Sequence, residues 1–369
     1  MIFNISRTEL RSALDSIKST VKPIKGSSAD IAQQSACVKF DVRPQEISLT
    51  AYNMETGAIT SVAAETMDSG EFLVNTEKLA AIVAKCPQET IECSVADNLM
   101  TISSGRSKTK ISVLSAENYY SIPESDDDNN FTVSGDTLSE MINQTVFAAS
   151  KSDNRPILQG EMFKIQNNVF ELAAIDGYRL AIRDEPVATA DSYNFVVHGE
   201  TLRAIAKLAA NAKEVRIMPS KKHVIFDFGI FKVFTRLLEG EFHNYSSNLS
   251  ANMPSSAIID TRSVIECLDR FSILLDVKSK APLRCEFGDG RLDMHLKTIN
   301  GEMDDSVDID YAGDKITIGF NNAYLLDSLK ACGTDKVKLQ LNNGLTPMKI
   351  VPTDGNSFTY LVLPVRLKN

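Results

Sequence analysis

Six times along the chain, a β-rich stretch ends at a capping-type residue and is followed by apolar residues at helical spacing. The starts fall near Ser6, Asn75, Ser134, His198, Asp260 and Asn321. The segments read SRTELRSALDSIKSTV, NTEKLAAIVAKC, SGDTLSEMINQTVFAAS, HGETLRAIAKLAAN, DTRSVIECLDRFSILL and NNAYLLDSLKACG. They recur at roughly 60-residue intervals, a spacing that marks repeated architecture. Between them lie alternating runs broken by turn residues: FDVRPQEISLTAY, IECSVADNLMTIS, FKIQNNVFELAAI, CEFGDGRLDMHL and LQLNNGLTPMKIV. Their Asn-Asn, Gly-Asp-Gly and Asn-Asn-Gly centres are expected to supply positive φ, which makes these runs β-hairpins. Each repeat is thus one helix followed by antiparallel strands. One helix on one small sheet buries too little area to stand alone, so repeats are expected to pair into domains of about 120 residues. The fold class is α+β, with three similar domains at 1–125, 129–252 and 255–369, each with two helices packed on antiparallel sheets. The first boundary falls in SIPESDDDNNFTVSG and the second in the polar SSNLSANMPSSA, which contains Pro254.

Composition narrows the class. The 369 residues are 43% hydrophobic and 24% charged, as in a soluble globular protein. No run approaches the roughly 18 apolar residues of a membrane span. The N-terminal MIFNISRTEL is too polar for a secretory signal, so a cytoplasmic location is expected. Six cysteines, at 37, 86, 93, 267, 285 and 332, form no CxxC pair and read as small buried apolar residues. Histidines 198, 223, 243 and 295 form no HxxxH or HxH pair, and Asp126, Asp127 and Asp128 read as a solvated linker. No metal or other cofactor is expected.

The segment AIDGYRLA at 174–181 puts an acid beside a glycine, with an arginine following. An enzyme would recruit Asp176 with His223 or His243, or the pair Asp304 and Asp305, as acid and base. However, no nucleophile elbow, P-loop, dinucleotide turn or zinc signature accompanies them. Asp176 and Gly177 instead read as a turn that displays Tyr178, Arg179 and Leu180.

A formal charge of −9 argues against nucleic acid until its distribution is considered. On the first helix Leu10, Ala13, Leu14 and Ile17 share one face, while Arg7, Arg11 and Lys18 fall on another. The second helix buries Leu79, Ile82, Val83 and Cys86 and carries Lys78 and Lys85; the fourth buries Leu202, Ile205 and Leu208 and carries Arg203 and Lys207. Lys22, Lys25, Lys151, Arg155, Arg262, Arg270 and Lys278 lie at or near other helix ends. If the six helices line one surface, an acidic protein presents a positive inner face to DNA phosphate.

Five stretches carry a resemblance: SGRSKTKISVL at 104–114, RPILQGEMFKI at 155–165, AIDGYRLA at 174–181, LLEGEFHNY at 237–245 and YLVLPVRL at 360–367. In this order, on a three-domain repeat, the chain resembles the bacterial β sliding clamp, the DNA polymerase III β subunit, over essentially its whole length. The resemblance implies three DNA-clamp domains closed as a head-to-tail homodimeric ring, with helices lining a hole through which double-stranded DNA passes. It implies no covalent chemistry and no cofactor: the ring slides on DNA, sequence-independently, and confers processivity. Implied partners are a second copy of the chain, the replicative polymerase α subunit, the clamp loader, and other polymerases and repair proteins that carry clamp-binding peptides.

Carried over by position, the DNA-facing set is Lys25, Lys151 and Arg155, to which the helix faces add Lys78, Arg203 and Lys207. The implied hydrophobic peptide pocket takes Leu158, Ile175, Gly177, Tyr178, Arg179 and Leu180 from the second domain. Pro347, Leu361, Leu363, Pro364, Val365, Arg366 and Leu367 come from the third. Tyr178 stands where the family often has histidine, His243 where it has proline, and Ser247 and Asn248 where it has basic and apolar residues. The implied dimer contact sets Leu274 and Leu275 of one copy against Ile111 of the other, with Thr109 in place of a family aromatic. Lys368 and Asn369 extend past Leu367. The other reading is a repeat-built interaction scaffold that does not encircle DNA; it accounts for the repeats and the pocket but not for the basic faces.

Overall fold

The structure, a computed structural model, describes residues 1–24, 29–123, 129–152, 154–189, 191–250, 252–276 and 281–367. Lys25, Asp126, Asp127, Asp128, Lys278, Lys368 and Asn369 lie outside the described residues.

All six expected helices form at the expected starts. They are α1 (Arg7–Thr20), α3 (Thr76–Val83), α4 (Gly135–Thr145), α5 (Gly199–Ala209), α7 (Thr261–Ser272) and α8 (Asn322–Cys332). Two shorter ones, α2 (Ala29–Ser35) and α6 (Ser246–Leu249), carry too few turns to show a helical period in sequence. Side chains of Ser6, Asn75, Ser134, Asp260 and Asn321 accept N–H groups of their first turns, and His198 Nδ1 accepts from Glu200 at 3.2 Å. Each such cap stabilises a helix by about 1 kcal/mol.

The repeat is written in the hydrogen bonds as well. Strands Ile2–Ser6, Phe131–Ser134 and Ser255–Asp260 enter α1, α4 and α7 and pair antiparallel with Thr90–Ala96, Glu214–Pro219 and Lys336–Leu341 respectively. At each of those starts, the N–H of Arg7, Gly135 or Thr261 is taken by a carbonyl just before the partner strand, from Glu89, Lys213 or Asp335.

The hairpin turns follow their sequence centres with one exception. Asp97 and Asn98, Asn167 and Asn168, and Asp289 and Gly290 all adopt positive φ. The Asn342-Asn343-Gly344 centre does not; the loop is held instead by the Asn343 side chain accepting from the Leu345 N–H at 2.9 Å. Gly344 is required there by proximity, because a Cβ would stand 2.6 Å from the Thr317 carbonyl oxygen.

Three repeats of two helices each pack into two compact units, one of residues 1–139 and 204–237, the other of 140–203 and 238–369. Strand pairing explains the partition. Phe231–Arg236 pairs with Thr56–Thr66, extending a 12-stranded sheet wholly within the first unit. Arg179–Pro186 pairs with Phe358–Val362 in a 9-stranded sheet of the second unit, which also holds a 4-stranded sheet. The central third of the chain is thereby divided between the two. In the first unit α1 buries Leu10, Ala13, Leu14 and Ile17 among Phe3, Phe40, Ile47 and Val74. In the second, α7 and α8 bury Val264, Cys267, Leu268, Phe271, Leu325 and Leu329 among Phe287, Phe320 and Tyr360. Full burial of each large side chain contributes about 1.5–3 kcal/mol. All six cysteines are buried and free.

Candidate functional site: a peptide wall and basic helix faces

The turn at 175–180 is built by one carboxylate. Asp176 Oδ1 accepts the N–H groups of Tyr178 (2.8 Å) and Arg179 (3.0 Å), while Oδ2 takes Arg179 Nε at 3.1 Å. Gly177, with φ +89° and open space where a Cβ would stand, supplies the left-handed bend. Every oxygen of Asp176 is thus committed to the turn, and no acid–base partner reaches it in these contacts.

Of the three residues expected on display, only Tyr178 is exposed, at 59%. Its ring stacks on that of Tyr324, centroids 5.7 Å apart. Arg179 and Leu180 point inward, at 5% and 2% exposure. The Arg179 guanidinium is paired with Asp176 and with Asp327 (2.7 Å) and lies 4.6 Å from the Tyr324 ring centroid and 5.3 Å from that of Phe147. Alternation along the strand beginning at Arg179 cannot predict this, because that strand is covered on both faces: Arg179 through Arg183 are all buried.

Leu180 faces Ile175 across one strand pair and Leu361 across the next. Together with Leu158 they join Met162, Ala173, Ile182, Val196 and Tyr245 in a single apolar cluster, with Ile157, Leu238, Phe242 and Leu249 packed against it. The Tyr245 hydroxyl donates to Glu171 Oε1 at 2.6 Å; burial, reinforced by this bond, pushes its pKa well above the usual phenol range. The chain end closes the region. The Leu363 N–H reaches the Tyr178 carbonyl at 2.9 Å and the Val365 N–H reaches that of Gly319 at 2.7 Å. Leu363 remains 38% exposed. Pro347, Pro364, Val365 and Leu367 are half-buried, while Gly177 and Arg366 are exposed. His243, Ser247 and Asn248 are exposed too, on the segment that delivers Phe242 and Tyr245 inward. Sequence reasoning missed Met162, Leu238, Phe242, Tyr245, Tyr324 and Asp327. The spacing of Leu238, Phe242 and Tyr245 within LLEGEFHNY was the available signal for three of them.

The basic residues are held differently. Lys151 and Arg155 are exposed, and Lys207 lines an open groove of about 540 Å³ with Arg11, Thr8, Ser12 and Ser16 of α1. Leu208, expected in the core, is only half-buried and borders the same groove. Arg203 is committed, donating to Glu200 (2.7 Å) and to the Val146 carbonyl (3.0 Å). Nearby, Glu161 is fully buried, and desolvation raises its pKa to about 8 against opposing contributions from Thr145 and Arg203. Thr145 Oγ1 lies 2.6 Å from Glu161 and 2.8 Å from the Met141 carbonyl. The Thr145 hydroxyl donates toward both, its one proton shared between Glu161 Oε2 and the Met141 carbonyl. Arg7 is tied to Glu89 at 3.2 Å, and Glu89 also caps α1 through Ser6 and Thr8. The Thr8 and Ser6 bonds lower the Glu89 pKa to about 2. Arg262 and Arg270 pair with Glu266 and Asp305.

Lys78 groups with other residues than expected. It lines a cleft of about 530 Å³ with Lys110, Ile111, Leu73 and Leu114, opened where strands Gly70–Asn75 and Ser107–Leu114 pair through only two residues each. Thr109 and Ile111 are half-buried on the second of these strands. Leu274 and Leu275 are half-buried just after α7, behind Ile273, which is 79% exposed.

The described residues include no group of three or more His, Cys, Asp or Glu able to hold a metal ion, and no helix long and apolar enough to cross a membrane. Comparison with known proteins agrees along the chain. Family models of the DNA polymerase III beta subunit match its N-terminal domain at residues 1–123, its central domain at 132–244 and its C-terminal domain at 249–366. The beta sliding clamp of Synechococcus elongatus is 27% identical over 339 residues, 89% of this chain and 90% of its own length. That of Staphylococcus aureus is 27% identical over 347 residues, 89% of this chain and 91% of its own. A Pseudomonas aeruginosa sliding clamp solved bound to griselimycin superposes with TM-score 0.92 at 26% identity, covering 100% of both chains. A Bacillus subtilis sliding clamp, at 23% identity and TM-score 0.94 over 100% of both chains, shares the fold. With family models covering all three of its repeats, the chain belongs to the DNA polymerase III beta subunit family, the β sliding clamps.

Proposed function

We propose that two copies of this chain close head to tail around duplex DNA in the cytoplasm, and that the wall around Leu180 and Leu361 tethers short peptides of the replicative polymerase, the clamp loader and repair proteins. As a β sliding clamp the protein is a non-catalytic processivity subunit, so its task is retention rather than chemistry. The observation that carries the peptide reading is the buried cluster of Leu158, Ile175, Leu180 and Leu361 behind the exposed Tyr178 and Leu363. An extended peptide gains affinity from such apolar surface and direction from a few polar anchors.

Ring closure is supported by charge. Strand Ser107–Leu114 brings Lys108 and Lys110 to an edge left largely unpaired, and Gly301–Asp308, the edge of the 4-stranded sheet, carries Glu302, Asp304 and Asp308. Opposite charge on two free edges favours pairing between copies over pairing of like with like. Lys78, beside Lys110 and Ile111, belongs with this contact, against Ile273, Leu274 and Leu275 of a second copy. The DNA-facing role falls to Lys151, Arg155 and Lys207, with Lys25; Arg203 contributes through the helix it braces. Phosphate contacts carry no sequence information, which suits sliding.

The ring reading predicts salt-dependent retention on closed circular DNA and loss from linear ends after loading; equal loss from both overturns it. For the wall, removing residues 363–369 abolishes calorimetric binding of griselimycin and leaves the sedimentation of the dimer unchanged. Unaltered affinity removes the wall from consideration.

A further inference from the structure

Residues 363–365 are fastened at two points: the Leu363 N–H to the carbonyl of Tyr178, in the turn before the strand Arg179–Pro186, and the Val365 N–H to the carbonyl of Gly319, in the 4-stranded sheet. Pro364 between them has no N–H, so the strap has no donor of its own in the middle. At the second fastening the backbone lies unusually close. A Cβ on Gly319 would stand 2.4 Å from the Val365 carbonyl oxygen, 2.8 Å from Leu367 Cδ2 and 3.0 Å from Leu367 Cγ. Gly319 lies mid-strand in Ile316–Phe320, opposite Arg284, and its φ is not positive, so nothing in its own backbone calls for glycine. Space for the strap does.

We propose that Gly319 is a positioning residue of the peptide wall: by lacking a side chain it lets residues 365–367 lie against the 4-stranded sheet and so holds Leu363 beside Tyr178. The inference rests on the wall reading above. A methyl at 319 pushes the strap off by about its own width. The flexible Leu367 side chain can yield, but the Val365 carbonyl can move only with the backbone. The Val365 fastening is then lost, and the outer wall becomes a loose end that a peptide must order on binding.

The test uses the full chain, Gly319→Ala, a chain ending at Pro364, and the two changes combined, each titrated calorimetrically with griselimycin. The full chain binds; Gly319→Ala binds about tenfold more weakly, the scale of a lost hydrogen bond with added disorder. In the shortened chain the alanine has no further effect, since its action runs through the strap. Val365→Pro, which removes the donor without touching the sheet, reproduces the loss and serves if the alanine variant does not fold. The proposal is overturned if Gly319→Ala binds like the full chain while the shortened chain is weakened, an outcome that leaves the wall reading standing. An equal effect of the alanine in both backgrounds overturns it too, because the effect is then structural. No binding by the unaltered chain removes the wall reading itself.

Discussion

The wall around Leu180 and the basic helix faces are made by opposite means. In the proposed wall, side chains are fixed from behind: Arg179 is buried between two carboxylates and two rings, and Leu180 is packed between Ile175 and Leu361. On the basic side, Lys151 and Arg155 stand exposed in the segment after α4, and Lys207 stands exposed on α5. A surface that must recognise one kind of peptide needs preorganised shape, whereas one that must let any phosphate pass needs charge without fixed geometry. The same chain therefore concentrates packed, paired side chains in one region and exposed charge in the other.

Substitutions break or sharpen that contrast. Leu180→Ala opens a cavity in the wall and costs about 4 kcal/mol of stability, read from urea unfolding; a change below about 1 kcal/mol means the cluster is not the rigid scaffold described. Arg179→Ala leaves Asp176 without its buried cation and costs about 3 kcal/mol, moderated because Asp327 is half-exposed, with peptide affinity falling as well.

Glu161 adds a pH signature to the packed side alone. Its folded pKa, about 8, lies above the ordinary 4.5, so folding takes up a proton between those values. Stability then falls as pH rises through that window, by at most about 1.4 kcal/mol per pH unit, and Glu161→Gln flattens the slope. A thermal-unfolding profile with the same slope in both proteins refutes the raised Glu161 pKa. The smallest effect is expected of Lys207→Ala, within about 0.5 kcal/mol in unfolding. Its mark appears instead in DNA retention, where the log–log salt slope drops by about one.

Legibility followed the range of the forces. Helix starts at Ser6, Asn75, Ser134, His198, Asp260 and Asn321 could be read because capping and helical period are local, and Asp289-Gly290 because a two-residue turn carries its own φ requirement. Asn342-Asn343-Gly344 looked the same but answered to a neighbour, the Thr317 carbonyl, that no local pattern contains. The turn of Asp176 and Gly177 was legible for the same local reason. That Arg179 beneath it is buried was not, since its partners Asp327 and Tyr324 lie more than a hundred residues away and arrive only with α8.

By itself, then, the sequence determined the six capped helices, most of the hairpins between them, the threefold repeat and the family. Tertiary structure decided which residues of AIDGYRLA face outward, that Leu238, Phe242 and Tyr245 complete the apolar cluster, and that Lys78 keeps company with Ile111. It also decided that residues 365–367 lie close over Gly319. The reason is physical: short-range hydrogen bonding and side-chain period are encoded residue by residue. Burial from both faces and close backbone approach exist only once distant strands have paired.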